Sequence, residues 1–471
     1  VIADQFYAER LYNKESLFEL LTASGFSSPA FHTTFSPVSS STQDAGMMEQ
    51  RILVSASVEK PWPPSLQEAR NKKPMNIAVV LGDPRKEDQV KPACVFDDDD
   101  FDTLERMKKA LAEIPLMRFT FLDRHETLLE DLKKKAAKVD LVLNLCDEGF
   151  YNDPTKELHV PALLEQLNLP YTGAGPQCLA FCYDKSIIRG VAREMNIPVA
   201  KGMLVTEDSD LSKLSLSFPL LVKPNSGDSS FGITQNSIAH NLEELLEILA
   251  ATREKMGSGR PFLLEEFLPG KDISVGIIGN PPACTILPIT EEDYSRVPDE
   301  LPKICGYEAK WLPDSPYWNI KSVPADLTEK TRKEIVKSCL TLFTRLGCRD
   351  YARFDWRLDA EGKPRLLEVN PNPGWCWDGH LAKMAAYANI SYSGMLAAII
   401  EAAKERYGLG NDGKVELSRK MPEATPRKSP AEYAAEFEEE IEASNCMESG
   451  NNRKKNVFSN PSKTVHAFES V

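Results

Sequence analysis

Residues 353 to 374 read RFDWRLDAEGKPRLLEVNPNPG. Two runs within them, 352 to 358 and 364 to 370, have strand composition and flank the turn-like DAEG at 359 to 362. Alternation puts Arg353, Asp355 and Arg357 on one face of the first run, and Glu368 and Asn370 on one face of the second. If the runs pair in simple register, both sets share a side. That gathers two carboxylates and an amide oxygen, the hard-oxygen set that holds Mg²⁺ against nucleotide phosphates. Taken alone, the same residues also suit a solvated hairpin with an acidic outer face. The Pro-Asn-Pro-Gly run after Asn370 favours the site, because rigid turns place side chains at a sheet rim where sites are built.

Other stretches supply what such a centre would need around it. FPLLVKPNSGDSSFGI (218 to 233) is an apolar strand carrying Lys223, followed by a loop in which Gly227 and Gly232 let backbone N–H groups turn inward and Ser226, Ser229 and Ser230 add hydroxyls. It is not a P-loop, because no Gly-Lys-Ser/Thr opens the next helix, and a loop of this composition can also be a plain turn. PFLLEEFLPGKDISVGIIG (261 to 279) gives two strand-like runs around Pro269-Gly270, with Phe262, Leu264 and Phe267 as apolar walls for a base or as ordinary hairpin residues. Asp184-Lys185 precedes Ile187, Ile188, Val191, Ala192 and Met195 at helical spacing, in a helix expected to begin near Pro176. A long helix is expected from Thr328 to Leu346, and another from about Leu381.

The 353 to 374 segment resembles the end of the ATP-grasp fold of D-alanine:D-alanine ligases, which carry an Arg-x-Asp strand, then Glu-x-Asn and a Pro-Gly turn. PYTGAGP followed by Asp184-Lys185, the Val-Lys-Pro strand with its Gly/Ser loop, and GYEAKWL (306 to 312) resemble the same family in the same order, across about residues 75 to 408. The resemblance implies ATP with Mg²⁺ (or Mn²⁺), the metals on Asp355, Glu368 and Asn370. It implies that Lys185 and Lys223 contact the phosphates, that Ser226, Gly227, Ser229, Ser230 and Gly232 fold over them, and that Glu265, Leu268 and Asp272 hold adenosine. Lys310 would close onto the phosphates, while Arg353 and the backbone N–H of Gly374 steady the acyl-transfer intermediate.

Three departures bear on the substrates. The loop after the first strand, LGDPRKEDQ, offers Asp83 or Glu87 where the family has a Ser/Glu-containing loop. CDEGFYNDPTKELHVPA replaces a His-Gly and Gly-Glu-Asp-Gly segment and leaves Asp147 and Glu148, and Ala174 replaces a Ser. Near Gly374, where a family Ser binds the acceptor carboxylate, this chain has Trp375, Trp377, Asp378 and His380. An aromatic-lined pocket suggests an acceptor larger than D-alanine, although both Trp residues could equally be core.

The expected architecture is α/β (α+β). Residues 1 to 73 form a partly disordered extension, with helical composition at 3 to 24 and Ser/Thr/Pro-rich runs at 27 to 46 and 59 to 74. Residues 74 to 182 form an N-terminal domain in which alternating strand and helix patterns imply a parallel sheet. Residues 183 to 267 form the central and 268 to 408 the C-terminal ATP-grasp subdomain, and 409 to 471 a charged, mostly disordered tail in which Tyr433, Phe437 and Ile441 could mark a short helix.

With 56 Lys plus Arg against 70 Asp plus Glu, the formal charge is −14, which argues against a general nucleic-acid binder. The ten cysteines show no Cys-x-x-Cys pair, and Cys178 and Cys182 read as buried thiols. No apolar run approaches the roughly 18 residues of a membrane span, so the cytoplasm is the default, although a chain opening with Val1 can lack its true start. The expected partners are small-molecule carboxylates and amines, with a homodimer as relatives commonly form. The expected activity is peptide (amide) bond formation through an acyl phosphate. The alternatives are ligation onto a specialised metabolite scaffold, or an ATP-binding regulatory protein without ligation.

Overall fold

The computed structural model describes residues 73–88, 90, 91, 93–227, 230–257 and 259–409, together with 17, 18, 21, 27–32 and 53–57. Ser229 and the proposed tail helix around Tyr433 lie outside the described residues. The chain divides into two units, 1–72 and 73–471.

In the first unit, strands β1 (Ser27–His32) and β2 (Leu53–Ser57) pair antiparallel, with Phe31 opposite Val54. Part of the run expected to be poorly ordered is therefore a paired strand. Aromatic and β-branched residues placed opposite each other favour such pairing despite the surrounding Ser and Thr.

Among the described residues, the second unit contains three sheets. Strands β3 (Met75–Val80), β4 (Met117–Leu122) and β5 (Leu141–Asn144) run parallel in the order β4-β3-β5. The apolar composition of β3 follows from its central place. Ile77 and Val79 pack with Met107 and Leu111 of the helix Asp98–Ala112, while Ala78 and Val80 pack with Leu128, Leu132 and Val160 on the other side. That helix begins at Asp98, where Asp97 and Asp100 form a capping box on its first turn.

Four antiparallel strands follow: β6 (Gly202–Val205), β7 (Leu220–Pro224), β8 (Ile238–Ala239) and β9 (Phe262–Glu266), ordered β6-β9-β7-β8. The last sheet is built from β10 (Asp272–Ile278), β11 (Thr285–Ile286), β12 (Thr290–Asp293), β13 (Lys321–Pro324), β14 (Tyr351–Leu358) and β15 (Pro364–Asn370). Its main path is β13-β12-β10-β14-β15, with β11 on β10. One face carries Ile273, Val275, Phe354, Trp356 and Val369 into a core with Ile335, Leu342 and Phe343 of the helix Glu329–Leu346. The other face is polar and carries the site.

Two expected helices are each two. Asp184 is extended (φ −98°, ψ 105°) and ends Pro176–Tyr183, and its side chain caps Lys185–Glu194 by accepting from the Ile187 N–H. The break sets Lys185 in a first helical turn. Likewise, His380–Tyr387 and Tyr392–Tyr407 are separated at Asn389, which has φ +58°, with Ser391 capping the second.

Candidate active site

The β14–β15 hairpin pairs Arg353 with Asn370 and Asp355 with Glu368, so the two polar sets do share a face. A register shift beyond Asp355 leaves Leu367 unpaired and places Trp356 opposite Leu366 in the core. The polar face continues across the sheet. Asp355 is opposite Ser274 of β10, Arg357 opposite Asp272, and Glu292 of β12 opposite Ser322 of β13. Asp355 is gripped by Arg353 at 2.8 and 2.9 Å and accepts from Ser274 Oγ (2.8 Å) and Asn370 Nδ2 (2.9 Å). Burial alone would raise its carboxyl, but the Arg353 guanidinium overcomes this and holds it below the ordinary carboxylate value.

A first cavity lies between the β7–β9 sheet and this face. Lys185 Nζ reaches the Gly227 carbonyl at 2.5 Å and lies 3.5 Å from Glu368 Oε2. Lys223 pairs with Glu265, whose other oxygen is taken by Arg189. Arg189 stands four residues after Lys185 on the same helix, so helical spacing could have revealed it. Asp272 is held by Arg357 (2.6 Å) and by the Tyr294 hydroxyl, and Leu268 offers its carbonyl to Arg357 Nε (2.6 Å). Glu265, Leu268 and Asp272 all line this cavity.

Two loops touch beside this cavity. Ser230 Oγ donates to the Cys305 carbonyl (3.2 Å), Tyr307 N–H to Ile233 O (2.7 Å) and Gln235 N–H to Glu308 (3.0 Å). Lys310, in the helix Glu308–Trp311, lines the cavity beneath them. Gly227 (φ +135°) and Gly232 (φ +78°) adopt backbone conformations that L side chains rarely adopt. Ser226 bridges to Asp184 and does not line the cavity.

A second cavity of about 560 Å³ opens beside the first and is lined by Asp147, Glu157, Trp318, Gly374, Asp378 and Lys383, among others. The two share Glu292, Cys305, Lys310, Arg353 and His380. Of the expected substrate contacts, Asp378, His380 and Asp147 line this chamber, and the others do not. Asp83 is buried and spent on structure: its carboxylate accepts from the His125 N–H (3.0 Å) and binds Arg85 (2.8 Å). Glu87 is exposed and lines neither cavity. Glu148 points instead to Gly82, with Oε2 buried and unpaired among the described residues.

The aromatic wall expected from Trp375 and Trp377 is not formed by them. Trp375 is buried in the apolar core and donates its indole N–H to Leu145 O (2.7 Å), while Trp377 is exposed with the Arg106 guanidinium 4.2 Å over its ring. Tyr183 and Trp318 line the chamber instead, and Trp318 lies in the turn Pro316–Asn319, where no periodic pattern marks it.

Residues 191–401 match the family model described as D-ala D-ala ligase C-terminus. The chain is 30% identical over 276 residues to a D-alanine–D-alanine ligase of Haemophilus influenzae, covering 55% of this chain and 86% of that protein. It is 31% identical to D-alanine–D-alanine ligase A of Bacillus cereus, covering 58% and 83% respectively. The structure of the D-alanine–D-alanine ligase from Bacillus anthracis complexed with ATP superposes with a TM-score of 0.53 and 24% identity, covering 71% of this chain and all of that one. The fold is thus ATP-grasp, as the resemblance implied, and the chain belongs to the D-alanine–D-alanine ligase family.

Proposed function

We propose that the protein joins a small-molecule carboxylate to an amine, activating the carboxylate with ATP as an acyl phosphate and releasing ADP and phosphate. The observation that carries this reading is the seam. Two cavities of different character meet at Lys310, Arg353 and His380, so a phosphoryl donor in one faces an acceptor in the other. Glu265, Leu268 and Asp272 would hold adenosine in the first cavity, with Lys185, Lys223 and Lys310 and the loop carrying Gly227, Ser230 and Gly232 around the phosphates.

The residues present fit a divalent metal. Mg²⁺ takes one or two carboxylates and completes its shell with phosphates and water. Asp355 and Glu368, opposite each other on one face, supply that pair, and Asn370 adds an amide oxygen. A site with only two carboxylates leaves coordination positions for phosphate oxygens and water. Once bound, Mg²⁺ or Mn²⁺ would neutralise the phosphate oxygens. Arg353 and Gly374 line the chamber, and the guanidinium with the Gly374 N–H would stabilise negative charge developing on the acyl oxygen.

The chamber falls within the roughly 300–1,000 Å³ typical of sites for drug-sized ligands, and Trp318 with Ile320 gives it an apolar wall. These features support an amino-acid substrate bulkier than alanine. The Haemophilus influenzae and Bacillus cereus relatives are named as ligases, which disfavours an ATP-binding switch without ligation. The test is ADP release with ATP and Mg²⁺ against L- and D-amino acids, singly and in pairs, with Glu368→Gln as control. Turnover that needs a particular pair and vanishes in the control is expected. ATP binding with no stimulated turnover would sink the ligase reading.

A further inference from the structure

Amide formation from an acyl phosphate leaves a proton to be removed from the attacking nitrogen, and the seam contains one group suited to take it. Of the five residues shared by the two cavities, Lys310 and Arg353 are cations. Burial pushes the Cys305 thiol up to about 12, so it keeps its proton. Glu292 and His380 remain, and they touch.

Their geometry fixes the tautomer. Glu292 and Ser322 are opposite each other on β12 and β13, and Ser322 Oγ spends its hydrogen on Glu292 Oε1 at 2.8 Å. His380 Nδ1 lies 3.2 Å from Ser322 Oγ and 3.4 Å from Glu292 Oε1. With its hydrogen committed, the serine can only accept from the ring, and the carboxylate accepts as well. Nδ1 therefore carries the proton, and Nε2 is left with its lone pair. The side chain keeps 25% of its surface open.

The surroundings keep the ring neutral. Burial, then Arg353 of β14, Lys310 of the closing loop and Lys383 one turn along the same helix hold the imidazole well below its ordinary value, while Glu292 is the carboxylate facing Nδ1. Asp378 lines the chamber beside it.

Resting on the ligase reading above, we propose that His380, oriented by Glu292, is the proton acceptor for the attacking amine. The free amine attacks the acyl carbon and the C–N bond forms. The C–O bond to phosphate breaks, phosphate leaves with its electron pair, and one N–H proton passes to His380 Nε2. The imidazolium then returns that proton to solvent. Glu292 is a positioning residue in this step.

The test compares two nucleophiles in the full-length protein. Hydroxylamine, a far weaker base than an alkylamine, is uncharged at neutral pH and traps acyl phosphates as hydroxamates without a protein base. With ATP, Mg²⁺ and the amino-acid pair joined by the wild type, His380→Gln is expected to lower kcat for amide formation by about 10²–10⁴-fold. Hydroxamate formation from the same carboxylate should stay within about threefold of wild type on this reading. Glu292→Gln should lower amide formation less, again sparing hydroxamate, and Glu292→Asp should restore part of the loss. Amide formation near the wild-type rate in His380→Gln would overturn the proposal, as would hydroxamate falling in step with amide. Wild type forming no ATP-dependent hydroxamate with any carboxylate would overturn the ligase reading itself, and the base with it.

Discussion

Lys223 and Glu265 form a buried ion pair with 5% and 2% of their side chains exposed, and Arg189 closes on the other oxygen of the same carboxylate. One anion thus holds two cations beneath the first cavity. Removing it leaves both charges buried without a counter-ion, a loss that typically costs about 3–5 kcal/mol. Glu265→Ala should therefore lower the denaturant midpoint sharply as well as weaken ATP binding. If urea unfolding of the variant matched wild type, the carboxylate would have no structural role.

Gly232 gives a prediction for the loop proposed to cover the phosphates. A Cβ there would stand 2.8 Å from both Met256 Sδ and Pro224 Cγ, at φ +78°. Left-handed backbone costs a residue with a side chain about 1–2 kcal/mol, so Gly232→Ala should displace the loop and raise the KM for ATP roughly tenfold. The KM values for carboxylate and amine should stay put. Equal loss for all three substrates would count against a loop dedicated to the nucleotide.

Legibility in the sequence tracked periodicity. The β14–β15 face was readable because alternation with a short turn fixes which side chains meet, and the bulge at Leu367 left the polar side intact. The β3 strand was readable because both of its faces are buried. Alternation does not say what packs on a face, so the second partner of Glu265, the clasp of Tyr294 on Asp272 and the Glu292–His380 contact all escaped. Each joins segments at least 22 residues apart. For the same reason residue type left wall and core equally open for the Trp residues near Gly374, and tertiary packing decided it, sending Trp375 to the core and Trp377 to the surface.

That sorting of aromatic residues can be measured. Trp375→Ala empties a buried site and should cost about 3–5 kcal/mol of stability, read as a lower Tm. Trp318, 46% exposed, should leave stability within about 0.5 kcal/mol when changed to Ala, while the KM for a bulky amino acid rises and that for alanine does not. A change in Tm without a change in substrate preference would remove Trp318 from the chamber's specificity.

Glu148 supplies a pH signature. Burial, then the charge of Asp147, pushes its carboxyl well above the ordinary 4.5, and Oε2 has no partner among the described residues. The folded chain keeps this proton at pH values where the unfolded chain has lost it. Stability therefore falls as pH rises from about 4.5 through the raised folded value. Glu148→Gln carries no such charge, so it should melt above wild type at pH 8 and lose that advantage at pH 4. Thermal melts at the two pH values decide it: an advantage of equal size at both would mean that the buried carboxyl is not the source.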